Sequence, residues 1–219
     1  MTVKIRIIIA VFAILVMIQI APAQTTGIAT VTGTNPAAVS ITNTSDANLS
    51  TTVALGNLLP TTGGTLTSGT FQIRMRSSKA YVLSAAATAL NFNGLGATDG
   101  GDTIAATDIG FGITALANTG ANVAASGART DAIVAAFSYT GGFPVVTNGL
   151  SPFVGATKAT LDDISSNTQI LSGSRISTKG NISTNNNFIL ATIGIATLPQ
   201  YFTPNTDFSA VITLTVTVP

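Results

Sequence analysis

From Phe208 to Val218 the chain alternates almost without a break. Phe208, Ala210, Ile212, Leu214, Val216 and Val218 are apolar, while Ser209, Thr213, Thr215 and Thr217 between them are polar, with Val211 the exception. Side chains on a strand point to opposite faces in turn, so period two predicts a strand with one face on a core and one in water. β-branched residues at most steps favour the same conformation. Phe71–Arg76 repeats the pattern, with Phe71, Ile73 and Met75 inward and Gln72, Arg74 and Arg76 outward. Ser77-Ser78-Lys79 then reads as a turn into Ala80–Ala86, where Tyr81 and Leu83 share a face, and the pair is expected to form a β-hairpin.

Shorter runs rich in Val, Ile, Thr and Phe extend the series: 28–32, 38–42, 51–55, 109–116, 132–139, 168–171 and 188–195. Clusters such as Thr62-Gly63-Gly64 and Asn185-Asn186-Asn187 punctuate them as turns. The Ala-rich stretch 115–136 has room for a helical turn near 132–136, but Gly120, Gly127 and the Asn and Thr around them favour a loop. Roughly nine to eleven strands without helical periodicity predict an all-β fold, an immunoglobulin-like antiparallel β-sandwich. No linker or fixed-period repeat divides it, and Asn93–Asp102 reads as a long glycine-rich loop.

The first residues follow a different pattern. Lys4 and Arg6 precede an apolar run from Ile7 to Ile20 interrupted by Gln19, and Ala21-Pro22-Ala23 follows. A basic start, an apolar middle and small residues at the two positions a signal peptidase reads predict a secretory signal peptide. Residues 1–23 are therefore expected to be removed between Ala23 and Gln24, leaving 24–219 as a single β-sandwich domain. After residue 23 no apolar run approaches the ~20 residues that span a bilayer as a helix.

Composition narrows the chemistry. Charged residues are 8% of the chain, with no His, no Cys and no Glu, so all eight acidic residues are Asp. A soluble domain usually carries about 25%. Lys4 and Arg6 are two of the nine basic residues, which leaves the mature part close to neutral, with no electrostatic reason to bind nucleic acid. The missing Cys excludes disulfides, thiolate metal sites and a lipoprotein anchor. Without His or Cys there is no Ser-His-Asp triad and no thiol nucleophile. No Asp-Thr/Ser-Gly and no Ser-x-x-Lys occurs. Neither catalysis nor a cofactor is expected.

A few residues remain as site candidates. Asp99, Asp102 and Asp108 could offer oxygen ligands to calcium, although their spacing is not that of a known calcium loop, and turn Asp residues more often cap backbone N–H groups. Asp162-Asp163 is a similar isolated pair. Arg74, Arg76 and Lys79 concentrate basic charge in the expected hairpin, either as a surface patch for anions or acidic carbohydrate, or as a charged edge strand that resists aggregation. Gly110-Phe111-Gly112 has the look of a nucleotide fingerprint, but no helix follows it. Asn43, Asn48 and Asn181 stand in N-glycosylation acceptor triplets, which matter only in a eukaryotic host.

Two stretches resemble secreted bacterial β-sandwich proteins of the spore coat U and pilin-subunit type. One is Phe71–Ala86, with its Ile-Arg-Met-Arg-Ser-Ser run leading to Tyr81 and Leu83; the other is Tyr201–Pro219, where a Tyr, a Pro-Asn turn and an Asp precede the last strand. The resemblance implies an immunoglobulin-like sandwich completed by a neighbour's strand, and a place in surface filaments or coats. The chain departs from that family in lacking cysteines, and Gln24–Thr34 supplies only Ala29 and Val31 before Gly33 as alternate apolar positions.

These features point to a non-enzymatic, exported structural or adhesive protein of the cell surface or periplasm, a coat or filament subunit whose partners are its own copies or other surface proteins. The alternative is a glycan-binding β-sandwich module using the loops Asn91–Asp108 and Ala117–Arg129.

Overall fold

The computed structural model describes residues 32–33, 37–58, 65–92, 104–119, 130–146, 152–153, 157–176, 188–198 and 208–219. The chain divides into two compact units, Met1–Asn35 and Pro36–Pro219. In the first, only Thr32 and Gly33 are described, in no regular element. The expected cleavage site at Ala23 and Gln24 lies outside the described residues, as do Ile28–Val31, Thr62-Gly63-Gly64 and the Asn185–Asn187 turn.

The second unit is all β, with eight strands among the described residues: β1 Val39–Thr42, β2 Thr67–Ser77, β3 Tyr81–Phe92, β4 Ile109–Thr119, β5 Ala132–Ile133, β6 Thr168–Gly173, β7 Phe188–Thr197 and β8 Phe208–Thr217. They form two antiparallel sheets, β1-β2-β7-β4 and β5-β6-β3-β8. One hydrophobic core joins them: Ile73, Met75, Phe111, Ile113, Ile189 and Ile193 from the first sheet pack with Tyr81, Leu83, Ala85, Ile170 and Leu171 from the second. Interdigitated apolar faces of this kind are what hold a sandwich together.

Constant-type immunoglobulin domains set strands 1-2-5-4 against 3-6-7. Here β7 lies between β2 and β4, and β3 lies between β6 and β8. The expectation of an antiparallel β-sandwich is met at the level of two packed sheets.

The expected hairpin is corrected. β2 and β3 belong to different sheets and do not pair with each other. The chain crosses the core instead, as an arch. Ser77, 1% exposed, directs it: its Oγ donates to the Lys79 carbonyl at 2.7 Å and accepts from the Lys79 N–H at 3.2 Å. The Ser78 N–H donates to Ala38 O at 2.9 Å, and the Ile176 N–H donates to Ser77 O at 3.0 Å. The arch is thus tied to both flanking segments, and Tyr81 emerges into the opposite sheet.

Two further expected strands change form. Thr51–Leu55 makes no ladder. It instead brings Val53 and Leu55 against the bare backbone of Gly69, on the inward side of β2, where any Cβ would collide with the Val53 side chain. Ala132–Tyr139 is a strand only at Ala132–Ile133, and a 3-10 turn follows at Ala135–Phe137. That turn swings Phe137 into the core, where its ring meets Phe111 edge-on at 6.3 Å.

Candidate functional site

The chain from Thr42 to Asn48 turns tightly before entering β2. The Asn43 side-chain oxygen accepts from the N–H groups of Ser45 (2.8 Å) and Ala47 (3.0 Å), an Asx turn that bends the backbone locally. Asp46 sits in the left-handed region at φ 61°, a conformation Asp tolerates better than most residues. Its carboxylate consequently faces the outward side of β2. Arg74 Nη1 donates to Asp46 Oδ2 at 2.9 Å and Arg76 Nη2 to Oδ1 at 2.7 Å. Both guanidinium groups also cover Phe188 at the start of β7, at 4.5 and 5.4 Å from the ring centroid. That contact leaves the ring 3% exposed.

Partial burial disfavours the Asp46 carboxylate, but the hydrogen bonds from Arg76 and Arg74, with their charges, outweigh it and hold its pKa below the ordinary 3.8. Two cations thus share one anion. Lys79 is exposed at the arch, outside this cluster. Nor is β2 an edge strand: β1 pairs with it on one side and β7 on the other. The charged-edge reading of Arg74 and Arg76 is corrected accordingly. Neither Asp46 nor Phe188 is signalled in the sequence, since 28 residues separate Asp46 from Arg74 and no local pattern links them.

The remaining described Asp residues serve the backbone nearby. Asp108 Oδ2 accepts the Ala105 N–H at 2.8 Å, and the Asp108 carbonyl accepts from Thr197 Oγ1 at 2.9 Å. Asp163 Oδ2 accepts from both the N–H (2.8 Å) and Oγ1 (3.0 Å) of Thr160. Asp131 accepts the Tyr81 hydroxyl at 3.0 Å. Asp162 is exposed beside Asp163 in a 3-10 turn. Asp99 and Asp102 lie outside the described residues, with most of the loops Asn91–Asp108 and Ala117–Arg129. Among the described residues no group of three or more acidic side chains comes together.

A second cluster covers the outward face of the first sheet. Alternation along β4 turns Phe111 into the core and Gly110 and Gly112 outward; Gly112 is paired with Gly194 of β7. Bare backbone at these three positions seats an aromatic trio. A Cβ on Gly112 would lie 2.5 Å from Tyr139 Cδ2, one on Gly194 2.9 Å from Phe143 Cζ, and one on Gly110 2.7 Å from Phe153 Cζ. Tyr139 and Phe143 are 4.8 Å apart, and Phe153 meets both edge-on at 6.5 and 6.4 Å. The Tyr139 hydroxyl donates to Ala159 O at 2.6 Å, and Lys158 Nζ lies 5.6 Å from the ring centroid while donating to Ser138 O. Burial, with the nearby Asp163 charge, pushes the Tyr139 pKa far above its ordinary 10.0. The Gly-Phe-Gly motif is a packing device.

Neither cluster aims a nucleophile and a base at a common point. Among the described residues no helix is long and apolar enough to cross a membrane. Comparison of the chain with protein-family models, with curated proteins and with solved structures finds no match in any of the three.

Proposed function

We propose that this is a non-enzymatic, exported structural protein that works outside the cytoplasm as a subunit of a surface coat or filament. One observation carries the reading: most of the described charged side chains are engaged in holding the fold. Asp46, Asp108, Asp131 and Asp163, four of the five described acidic residues, accept hydrogen bonds from their own chain, and Arg74 and Arg76 donate to Asp46. A sheet framework whose described charged groups mostly bond within their own chain, in a chain without His, Cys or Glu, suits a building unit better than a catalyst. The basic-apolar-small pattern of residues 1–23 supports export.

Cell fractionation with mass spectrometry of the mature N-terminus tests export, with Gln24 expected as the first residue. Size-exclusion chromatography and electron microscopy of the purified protein test assembly, with concentration-dependent oligomers expected. A strictly monomeric species at high concentration would overturn the subunit reading.

A further inference from the structure

Each of the two sheets has two edges, and an unguarded edge is a row of backbone donors and acceptors ready to pair with another strand. Among the described residues, three of the four edges are short or covered. β1 has four residues and β5 has two. β4 is longer, but its outer side receives the segments around Ser138 and Thr160: Phe111 N donates to Ala159 O, Leu161 N to Ile109 O and Tyr139 N to Ile113 O. β8 is the exception. It runs ten residues, Phe208–Thr217, at the end of the second sheet, and among the described residues no strand pairs with it on the side away from β3.

Its composition lacks the usual guards. No charged residue and no Pro interrupts Phe208–Thr217, whereas edge strands that stay single usually carry Lys, Pro or an inward charge. Its inward residues Ala210, Ile212, Leu214 and Val216 pack against the core but remain half-buried, while Val211 on the other face is 56% exposed. β1 of the first sheet approaches β8 without pairing with it, so the backbone edge of β8 has no ladder partner besides β3 among the described residues.

We infer that β8 is a self-association edge, pairing antiparallel with β8 of a second copy of this chain about a two-fold axis. The strand is its own complement. An axis through Thr213 sets Ile212 opposite Leu214 and Ala210 opposite Val216 on the inner face. It sets Val211 opposite Thr215 and Ser209 opposite Thr217 on the outer one. Directly opposed residues share a face in an antiparallel pair, so the inner face meets apolar to apolar and the outer face sets hydroxyls against hydroxyl or β-branched neighbours. With no charge on the strand, two copies meet without repulsion, and the same patch serves both partners. Two four-stranded sheets then fuse into one. This deepens the subunit reading above and rests on it for its biological use.

The absence of cysteine makes the test clean. Single substitutions Ser209→Cys, Val211→Cys, Thr213→Cys, Thr215→Cys and Thr217→Cys in the full chain, all on the exposed face, are followed by mild oxidation and non-reducing electrophoresis, with circular dichroism confirming the fold of each. A two-fold antiparallel pair cross-links at the position on the axis. A step of two residues separates the two sulfurs by roughly 13 Å and abolishes the bond. A single maximum along the series is expected, and Thr213→Lys is expected to lower the oligomeric state in sedimentation. Cross-linking at every position would indicate a parallel pairing and overturn the two-fold edge. Oligomers that neither cross-link through β8 nor respond to Thr213→Lys would overturn the edge and leave the subunit reading standing. A monomer at high concentration would overturn both.

Discussion

Gly112 lies directly beneath the ring of Tyr139, so that a Cβ there would stand 2.5 Å from Tyr139 Cδ2 and closer still to the Phe137 carbonyl. The ring alone could swing aside; the backbone oxygen is held by the 3-10 turn that seats Phe137 in the core. Gly112→Ala is therefore expected to destabilise the protein by about 1–3 kcal/mol, the range of overpacked sites. The midpoint of thermal unfolding should fall by roughly 2–4 °C for each kcal/mol in a chain of this size. Gly141 is the control, because nothing lies within 4 Å of the place its Cβ would take. Gly141→Ala is expected to leave the midpoint nearly unchanged, and equal effects at the two positions would refute the packing role.

Tyr139 gives a second prediction, in pH. Its folded pKa is raised above the ordinary 10.0 by burial and by Asp163. Above pH 10 the unfolded chain releases this proton while the folded chain keeps it, so the contribution is fully present below 10 and is lost as pH rises. Stability measured by denaturant titration is expected to fall more steeply above that pH in the native protein than in Tyr139→Phe. At neutral pH the same substitution is expected to cost about 1 kcal/mol, the low end for a buried hydroxyl. The cost is small because Ala159 O, which accepts the hydroxyl at 2.6 Å, also accepts the Phe111 N–H at 3.1 Å and keeps a partner.

Much of the sheet framework is legible in the sequence because it rests on period-two burial. β8 runs to Thr217, and its even-numbered residues from Ala210 onward face inward as alternation requires. β2 begins four residues before Phe71, where Thr67–Thr70 carries too few large apolar groups to announce a strand. What local pattern does not encode is which strand pairs with which. Ser77-Ser78-Lys79 reads equally as a hairpin turn or as an arch, and the difference lies in long-range pairing, Val39 with Ser77 and Tyr81 with Gly173. The Asp46 pair is invisible for the same reason. Gly110 and Gly112 do carry a signal: glycines at alternate positions of a strand mark close approach from one face.

Asp46 predicts the opposite pH behaviour from Tyr139. Its folded pKa lies below 3.8, because the Arg76 and Arg74 contacts outweigh the penalty of partial burial. The contribution is present above 3.8 and is lost as pH falls through the folded value. Asp46→Asn keeps a residue that accepts the left-handed backbone and removes the charge. It is expected to lower stability at neutral pH by up to about 1 kcal/mol, the scale of a partly exposed ion pair. The difference from the native protein should shrink in acid and in high salt. A difference independent of pH would mean that the turn, and not the ion pair, is what Asp46 supplies.

Ser77 tests the arch that replaces the expected hairpin. Its hydroxyl satisfies both the N–H and the carbonyl of Lys79, at 3.2 and 2.7 Å, from a position 1% exposed. Ser77→Ala removes a donor and an acceptor together and leaves two backbone groups at the sheet-to-sheet crossing without this partner. A cost of about 0.5–1.5 kcal/mol, the net worth of a hydrogen bond, is expected, because Lys79 is exposed and water can replace the hydroxyl. Amide exchange locates the effect: protection at Lys79 should fall first, with Ser78 and Ile176, whose N–H groups donate to Ala38 and Ser77, following. In a hairpin the loss would instead spread along β2 and β3 as facing partners. Loss confined to the crossing, with Phe71–Met75 still protected by β7, is the pattern the arch requires.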